Sequence, residues 1–191
     1  MSRMLTTCAL VALMILAALP ALAGEPAPQS VVAFAHGKLA DYGHDPVIVA
    51  AVKAANAEGR TLDQIQARDA EWRGTAGLDD GMKAIMDSAC GRHLAQLVEE
   101  NAWFAEIFVM DNQGANVAMS DKTSDYWQGD EAKFQKSFAA GQGAVFIDEV
   151  EFDDSAQVYQ VQVSVPVFDG DTVIGAITFG VDVDAVEQSG V

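Results

Sequence analysis

Residues 157–183 read QVYQVQVSVPVFDGDTVIGAITFGVDV, and this stretch decides the fold. Gln157 to Phe168 is a predicted strand, Asp169-Gly-Asp171 a tight turn, and Thr172 to Val183 a second strand. Both strands are rich in Val and Ile, which fit a pleated, half-buried surface, so together they read as a hairpin. Successive side chains on a strand point to opposite faces. Tyr159, Val161, Val163, Val165 and Val167 therefore share one face, and Gln160, Gln162, Ser164 and Pro166 share the other. In the second strand Val173, Ile177, Phe179, Val181 and Val183 oppose Ala176, Thr178, Gly180 and Asp182. The hairpin thus has a bulky apolar face and a small or polar one. The latter is either an ordinary solvent-facing side or the floor of a small polar pocket.

Three more strands precede the hairpin. Ala105 to Met110 is a strand, Asp111-Asn-Gln-Gly114 a turn whose glycine supplies a positive φ, and Ala115 to Ser120 the return. A polar, aromatic loop, Asp121 to Gln128, leads into a short helix from Asp130 to Ala139. Asp130 and Glu131 in its first turn and Lys136 later complement the helix dipole. Gly141 and Gly143 end it, and Ala144 to Phe152 is a third strand.

Upstream the period is helical. Ser30 caps a helix expected to run to Tyr42. Asp45-Pro46 reads as N-cap and first residue of the next, with Val47, Ile48, Ala51, Val52 and Ala55 as its stripe and Gly59 as its stop. Thr61 and Gln64 make a capping box, with Leu62, Ile65 and Trp72 on the buried face. A further helix is expected from Asp79 to Ala89; Gly91 interrupts, and Arg92 to Asn101 resumes with Leu94, Leu97 and Val98. These amphipathic segments need something to pack on. Residues 184–191 read as a short polar tail. Helices followed by β-β-α-β-β-β give an α+β fold: an antiparallel sheet of about five strands with helices against it.

The chain has 191 residues, a length that suits one domain. Its first residues carry the marks of a secretory signal: Arg3, an apolar run from Ala9 to Leu19, Pro20, and the small-x-small site Ala21-Leu22-Ala23. The run is shorter than the ~20 residues a membrane span needs. The expected division is 1–23 signal peptide, 24–102 helical region and 103–191 sheet core, with the processed protein in the periplasm. Removal of Cys8 leaves Cys90 unable to form an internal disulfide; it reads as a redox or metal thiol or as a small buried residue. A net charge of −17 argues against nucleic acid or an anionic membrane as partner.

Chemistry-bearing motifs are sparse. His36, His44 and His93 form no metal-ligand spacing, and Cys90-Gly-Arg-His93 has one cysteine too few for haem attachment. Asp79-Asp80 and Asp153-Asp154 lack the ladder of a calcium loop. No G-x-S-x-G elbow, Walker A loop or G-x-G-x-x-G fingerprint occurs. The expectation is a non-catalytic protein with no cofactor and no metal.

A resemblance enters at Ser164-Val-Pro-Val-Phe-Asp-Gly-Asp-Thr-Val-Ile-Gly-Ala-Ile-Thr-Phe-Gly-Val-Asp-Val183. It is similar to the closing hairpin of extracytoplasmic Cache sensor domains. Asp111-Asn-Gln-Gly114 followed by Asn116-Val-Ala-Met-Ser120 resembles their first hairpin, and Thr123-Ser-Asp-Tyr-Trp-Gln-Gly-Asp-Glu-Ala-Lys-Phe134 the loop and helix of one Cache subgroup. The similarity covers roughly Trp103 to Asp184. It implies a PAS-like fold with the N-terminal helical region on one sheet face. It also implies a small-molecule pocket on the other face, under the loop and helix between the second and third strands. Family ligands include amino acids, amines and organic acids. Because the sequence ends at Val191, with no following membrane helix, a separate membrane receptor or kinase is the expected partner.

On this reading Tyr126 and Trp127, adjacent aromatics with polar handles, either line the ligand site or form a lid on the core. Asp125 holds an amine or caps the following helix. Phe146 and Asp148 share a face of the third strand, and Gln160, Gln162 and Thr178 occupy the small or polar faces. Asp148 would favour a cationic or amino ligand. Lys122 and Lys133 are the nearest groups in sequence for a carboxylate. The expected function is a small-molecule-binding sensor. The alternative is an adaptor or inhibitor that docks on a receptor without a small ligand.

Overall fold

The computed structural model describes residues 24–153 and 158–190. The signal-peptide reading of 1–23 lies outside the described residues. The elements, in chain order, are β1 (Glu25–Pro26), α1 (Gln29–Phe34), α2 (Pro46–Ala57), α3 (Leu62–Gly74), α4 (Asp80–Met86), α5 (Ala89–Glu100), β2 (Phe104–Met110), β3 (Asn116–Met119), α6 (Ala132–Phe138), β4 (Phe146–Asp153), β5 (Val158–Asp169), β6 (Thr172–Asp182) and α7 (Val183–Ser189).

The strands form one antiparallel sheet in the order β1-β4-β5-β6-β2-β3. Without the two-residue β1, the core strands counted in chain order lie 2-1-5-4-3, with α6 between the second and third. That is the PAS-like arrangement. The long β5–β6 hairpin lies at the sheet's centre, so both its faces are covered. On one face Val161, Val163, Val165, Ile177 and Phe179 pack with Val31, Phe34, Leu39, Ile48, Val52 and Leu94. Each such fully buried side chain contributes about 1.5–3 kcal/mol of transfer free energy. On the other face Phe108, Met110 and Ala176 pack with Ile65, Trp72, Met82, Tyr126 and Phe134.

Local chemistry explains the helix starts. Asp45 Oδ1 accepts from Val47 N at 2.8 Å and Ile48 N at 3.2 Å, with Pro46 in the first turn. The capping box forms at Thr61 and Gln64. Ser88 Oγ accepts from Gly91 N at 2.9 Å and starts α5.

Several expectations are corrected. To the expected five strands the two-residue β1 adds a sixth, as Glu25 and Pro26 pair with Val150 and Glu149 of β4. The helical region does not keep to one face: α3 and α4 supply Ile65, Trp72 and Met82 to the second cluster. The first helix runs to the expected neighbourhood of Tyr42, but with a π-helical widening at Ala35–Leu39 and a 3-10 finish at Tyr42–His44. Gly91 does not break a helix but lies inside α5. A Cβ there would stand 2.2 Å from Met86 O and 2.4 Å from Ile85 O, so only glycine lets α5 start against the end of α4. The polar tail is the helix α7, capped by Asp182, whose Oδ1 accepts from Ala185 N. A register shift after Val167 turns the start of β6. Val173 consequently stands beside Gly143 and Pro166, off the Ile177 face.

Candidate functional site

The loop after β3 is fastened at both ends and along its length. Asp111 Oδ1 accepts from Gln113 N at 2.8 Å and Ala115 N at 3.0 Å, closing the turn before β3. Burial raises the Asp111 pKa, against the pull of those N–H groups and of Arg60. Asn116 N donates to Tyr126 O at 2.9 Å and Gln128 N to Gly114 O at 2.8 Å, laying the loop antiparallel to the start of β3. Asn116 Nδ2 donates to Thr123 Oγ1 at 2.7 Å and Asp125 O at 3.1 Å.

Helix α3 holds the loop from outside. Trp72 Nε1 donates to Thr123 O at 2.8 Å. Asp69, only 4% exposed, accepts on Oδ1 from Tyr126 N at 2.9 Å and Trp127 N at 3.1 Å. Lys122 Nζ donates to Thr75 O at 2.8 Å and Gly77 O at 3.0 Å, just past the end of α3. A carboxylate receiving two adjacent backbone N–H groups is a charge-assisted clamp. Loop and helix therefore form one body.

Between them lies a polar cleft of about 280 Å³, lined by Gln66, Asp69 and Arg73 of α3 and by Asp125, Trp127, Asp130 and Glu131. Arg73 Nη2 is 3.0 Å from Asp69 Oδ2, and Arg73 Nε is 3.7 Å from Asp125 Oδ1. The indole of Trp127 folds back so that Nε1 donates to Gln113 O at 2.8 Å. Gly129 permits this, since a Cβ there would lie 2.3 Å from that nitrogen. The volume falls just below the ~300–1,000 Å³ usual for small-ligand sites, which limits the guest to a small one. Carboxylates outnumber the single guanidinium, so the cleft suits a polar guest carrying positive charge.

The space between loop and sheet is much smaller. Glu106, Phe108, Thr123, Ser124, Gln128, Lys133 and Gln162 enclose about 50 Å³, room for one or two waters. Lys133 Nζ pairs with Glu131 at 3.0 Å and lies 5.5 Å from the centre of the Phe108 ring.

The residues singled out in the sequence divide accordingly. Asp125 and Trp127 meet in the cleft. Tyr126 is buried in the second cluster, its ring 5.5 Å from that of Trp72 and its hydroxyl accepting from Arg60 Nη1. Burial raises its pKa. Thr178 is buried and hydrogen-bonded to Ser164 at 2.8 Å. Asp148, Gln160 and Gln162 edge a shallow dent of about 40 Å³ with Glu149 and Glu151. Phe146 lies under Lys136 Nζ, 4.3 Å from its ring centre. Of the two lysines considered for a carboxylate, Lys122 is spent on α3 and Lys133 faces the small enclosed space. Sequence reading missed Gln66, Asp69 and Arg73. Their spacing, one helix face three and four residues apart, was the signal that could have found them.

A separate, more apolar groove of about 680 Å³ runs between α2, α4, α5 and β3, with Ala50, Ala51, Ala54 and Ala89 among its lining. Cys90 is at its floor, 2% exposed. Burial, and then the charge of Asp45, push its thiol up to about 12, so it stays protonated at neutral pH. Among the described residues, no group of three or more His, Cys, Asp and Glu is placed to hold a metal ion, and no helix is long and apolar enough to cross a membrane.

No protein-family model and no curated protein matches this sequence. Among solved structures it is similar to the sensor domain of the Vibrio cholerae histidine kinase DctB, at 18% identity over 84% of this chain and 53% of that one, TM-score 0.46. It is similar to the ligand-binding domain of the Pseudomonas aeruginosa amino acid chemoreceptor PctC in complex with GABA, at 15% identity over 81% of this chain and 63% of that one, TM-score 0.41. A third is the sensory domain of the Campylobacter jejuni chemoreceptor Tlp3 with isoleucine bound, at 12% identity over 84% and 66%, TM-score 0.39. The chain thus spans about half to two-thirds of the length of these structures.

Proposed function

We propose that this chain is an extracytoplasmic sensor domain of the Cache type. It binds a small amino acid, amine or organic acid and reports occupancy to a membrane receptor or kinase. The observation that carries the reading is the cleft between α3 and the loop, walled by Trp127 and lined by Asp69, Asp125 and Arg73. A ligand there touches helix and loop at once. Because the two are already fastened together, binding acts by shifting α3, not by ordering a slack flap.

Equilibrium dialysis and thermal-shift screening against amino acids, amines and organic acids test this. A stabilising ligand should lose affinity at least about tenfold in Asp125→Asn and Trp127→Ala, the cost of one charge-assisted contact or one aromatic wall. Ligand binding indifferent to both substitutions would reject the site.

A second reading, an adaptor that docks on a receptor without a small ligand, is favoured by Phe152 and Tyr159. They are 47% and 55% exposed and pair edge to face at 5.1 Å at one end of the β4–β5 ladder. Exposed aromatic pairs mark contact surfaces. Unaltered receptor co-purification after Phe152→Ser with Tyr159→Ser would dismiss it.

A further inference from the structure

The carboxylates bridged by Arg73 have unequal needs. Asp69 is buried, and its Oδ1 is already taken by the N–H groups of Tyr126 and Trp127. Its Oδ2 faces Arg73 at 3.0 Å. A carboxylate removed from water to this degree requires a cation or a donor at its second oxygen. The Arg73 side chain, in contrast, is 60% exposed. It can swing into water and recover its hydration there, so leaving costs it little. Asp69 requires a cation or donor at Oδ2; it does not require this one.

The surroundings favour a replacement. Asp125 stands on the other side of the guanidinium, 3.7 Å from Nε, and is itself 26% exposed. Trp127, Gln66, Asp130 and Glu131 complete the cleft. An indole face attracts a cation that has left water, and Gln66 supplies a neutral donor and acceptor. Arg73 also sits in the last turn of α3, one residue before Gly74 ends the helix. Its side chain is thus a tether between the end of α3 and Asp125 of the loop, separate from the Asp69 clamp one turn earlier.

We infer that Arg73 is an internal placeholder: its guanidinium occupies the position between Asp69 and Asp125 that the ammonium group of a ligand takes on binding. The inference rests on the reading of this cleft as the ligand site and narrows the ligand to a primary amine or an amino acid. With a simple amine, Arg73 leaves for solvent. With an amino acid, the displaced guanidinium meets the ligand's carboxylate in the bidentate geometry that Arg favours. In both cases the tether from the α3 terminus to Asp125 is cut while the Asp69 clamp on Tyr126 and Trp127 stays. Occupancy is thereby converted into the loss of one link between α3 and the loop, while the bonds from Trp72 to Thr123 and from Lys122 to Thr75 hold.

Titration calorimetry of the whole protein with n-butylamine, glycine and butyrate tests this in the wild type and in Arg73→Ala, with Arg73→Gln as the second variant should the alanine protein misfold. Butylamine should bind the variant about fivefold tighter than the wild type, the size expected for releasing partly exposed ion pairs. Glycine should gain less than butylamine, because its carboxylate loses a partner. The Arg73 Nε–H resonance of the wild type should shift when butylamine is added. Butylamine binding the wild type but equally or less tightly the variant, with an unmoved Arg73 resonance, would overturn the placeholder and leave the cleft as a ligand site. Butyrate binding as tightly as butylamine would overturn the ammonium assignment. No binding of any probe to either protein would remove the cleft reading and the placeholder together.

Discussion

Asp69 is the residue on which the loop depends. Its Oδ1 serves two backbone N–H groups that are otherwise shut from water, and its Oδ2 serves Arg73. Asp69→Ala should destabilise the protein by about 3 kcal/mol in urea titration, since it orphans two buried donors. Asp69→Asn keeps an acceptor for them and should cost roughly half as much. Cys90 gives a prediction that depends on pH. Its thiol pKa is raised from 9.0 to about 12, so the folded state holds the proton more tightly than the unfolded chain. The associated stability is complete below the unfolded value and is lost as pH climbs toward about 12. Wild type should therefore lose more stability than Cys90→Ala between neutral and strongly alkaline pH. The folded thiol should also resist iodoacetamide at pH 8 until urea unfolds the chain.

Two glycines separate what the α4–α5 junction requires from what helix propensity allows. Gly91→Ala puts a methyl group against the carbonyls of Met86 and Ile85. It should lower stability by about 2–3 kcal/mol as overpacking does, measured by thermal melting. Gly37→Ala meets nothing within 4 Å and should be neutral or slightly stabilising. The same junction shows where sequence pattern stops being informative. The caps at Asp45 and Thr61 were legible because a cap is a local bargain between neighbours in the chain. The hairpin was legible because alternation over β5 and β6 is long and regular. Gly91 was misread as an interruption because its reason is an approach between two helices. Val173 was misplaced for a related cause, a register shift that composition does not signal.

At the scale of the molecule, loop and α3 should behave as a single cooperative unit. Hydrogen exchange should protect the amides of Tyr126 and Trp127 together with those of α3. Trp72→Phe, which deletes the bond to Thr123 O while keeping most of the ring, should speed exchange in the loop more than in β5 or β6. The sheet followed from the sequence because one face of the central hairpin is almost wholly aliphatic, whereas its PAS-like arrangement was implied only by the resemblance. The cleft did not. Trp127 and Asp125 drew notice as loop residues, but their partners Gln66, Asp69 and Arg73 lie more than fifty positions away on a helix whose apolar stripe had drawn the attention. Tyr126, chemically the twin of Trp127 in the reading, points inward because strand-like pairing with Asn116 sends adjacent side chains to opposite sides.

Glu25 and Pro26 cover only two residues of β4, yet they stand at the rim where a foreign strand would attach. Proline there offers no N–H to recruit one, and Glu149 is engaged by Gly24 N at 2.6 Å. A protein trimmed to begin at Gln29 would bare that rim, guarded among the described residues by the mutual repulsion of Asp148, Glu149 and Glu151. Salt would screen those guards, so the shortened form should associate edge to edge at about 1 M salt while the longer one stays monodisperse.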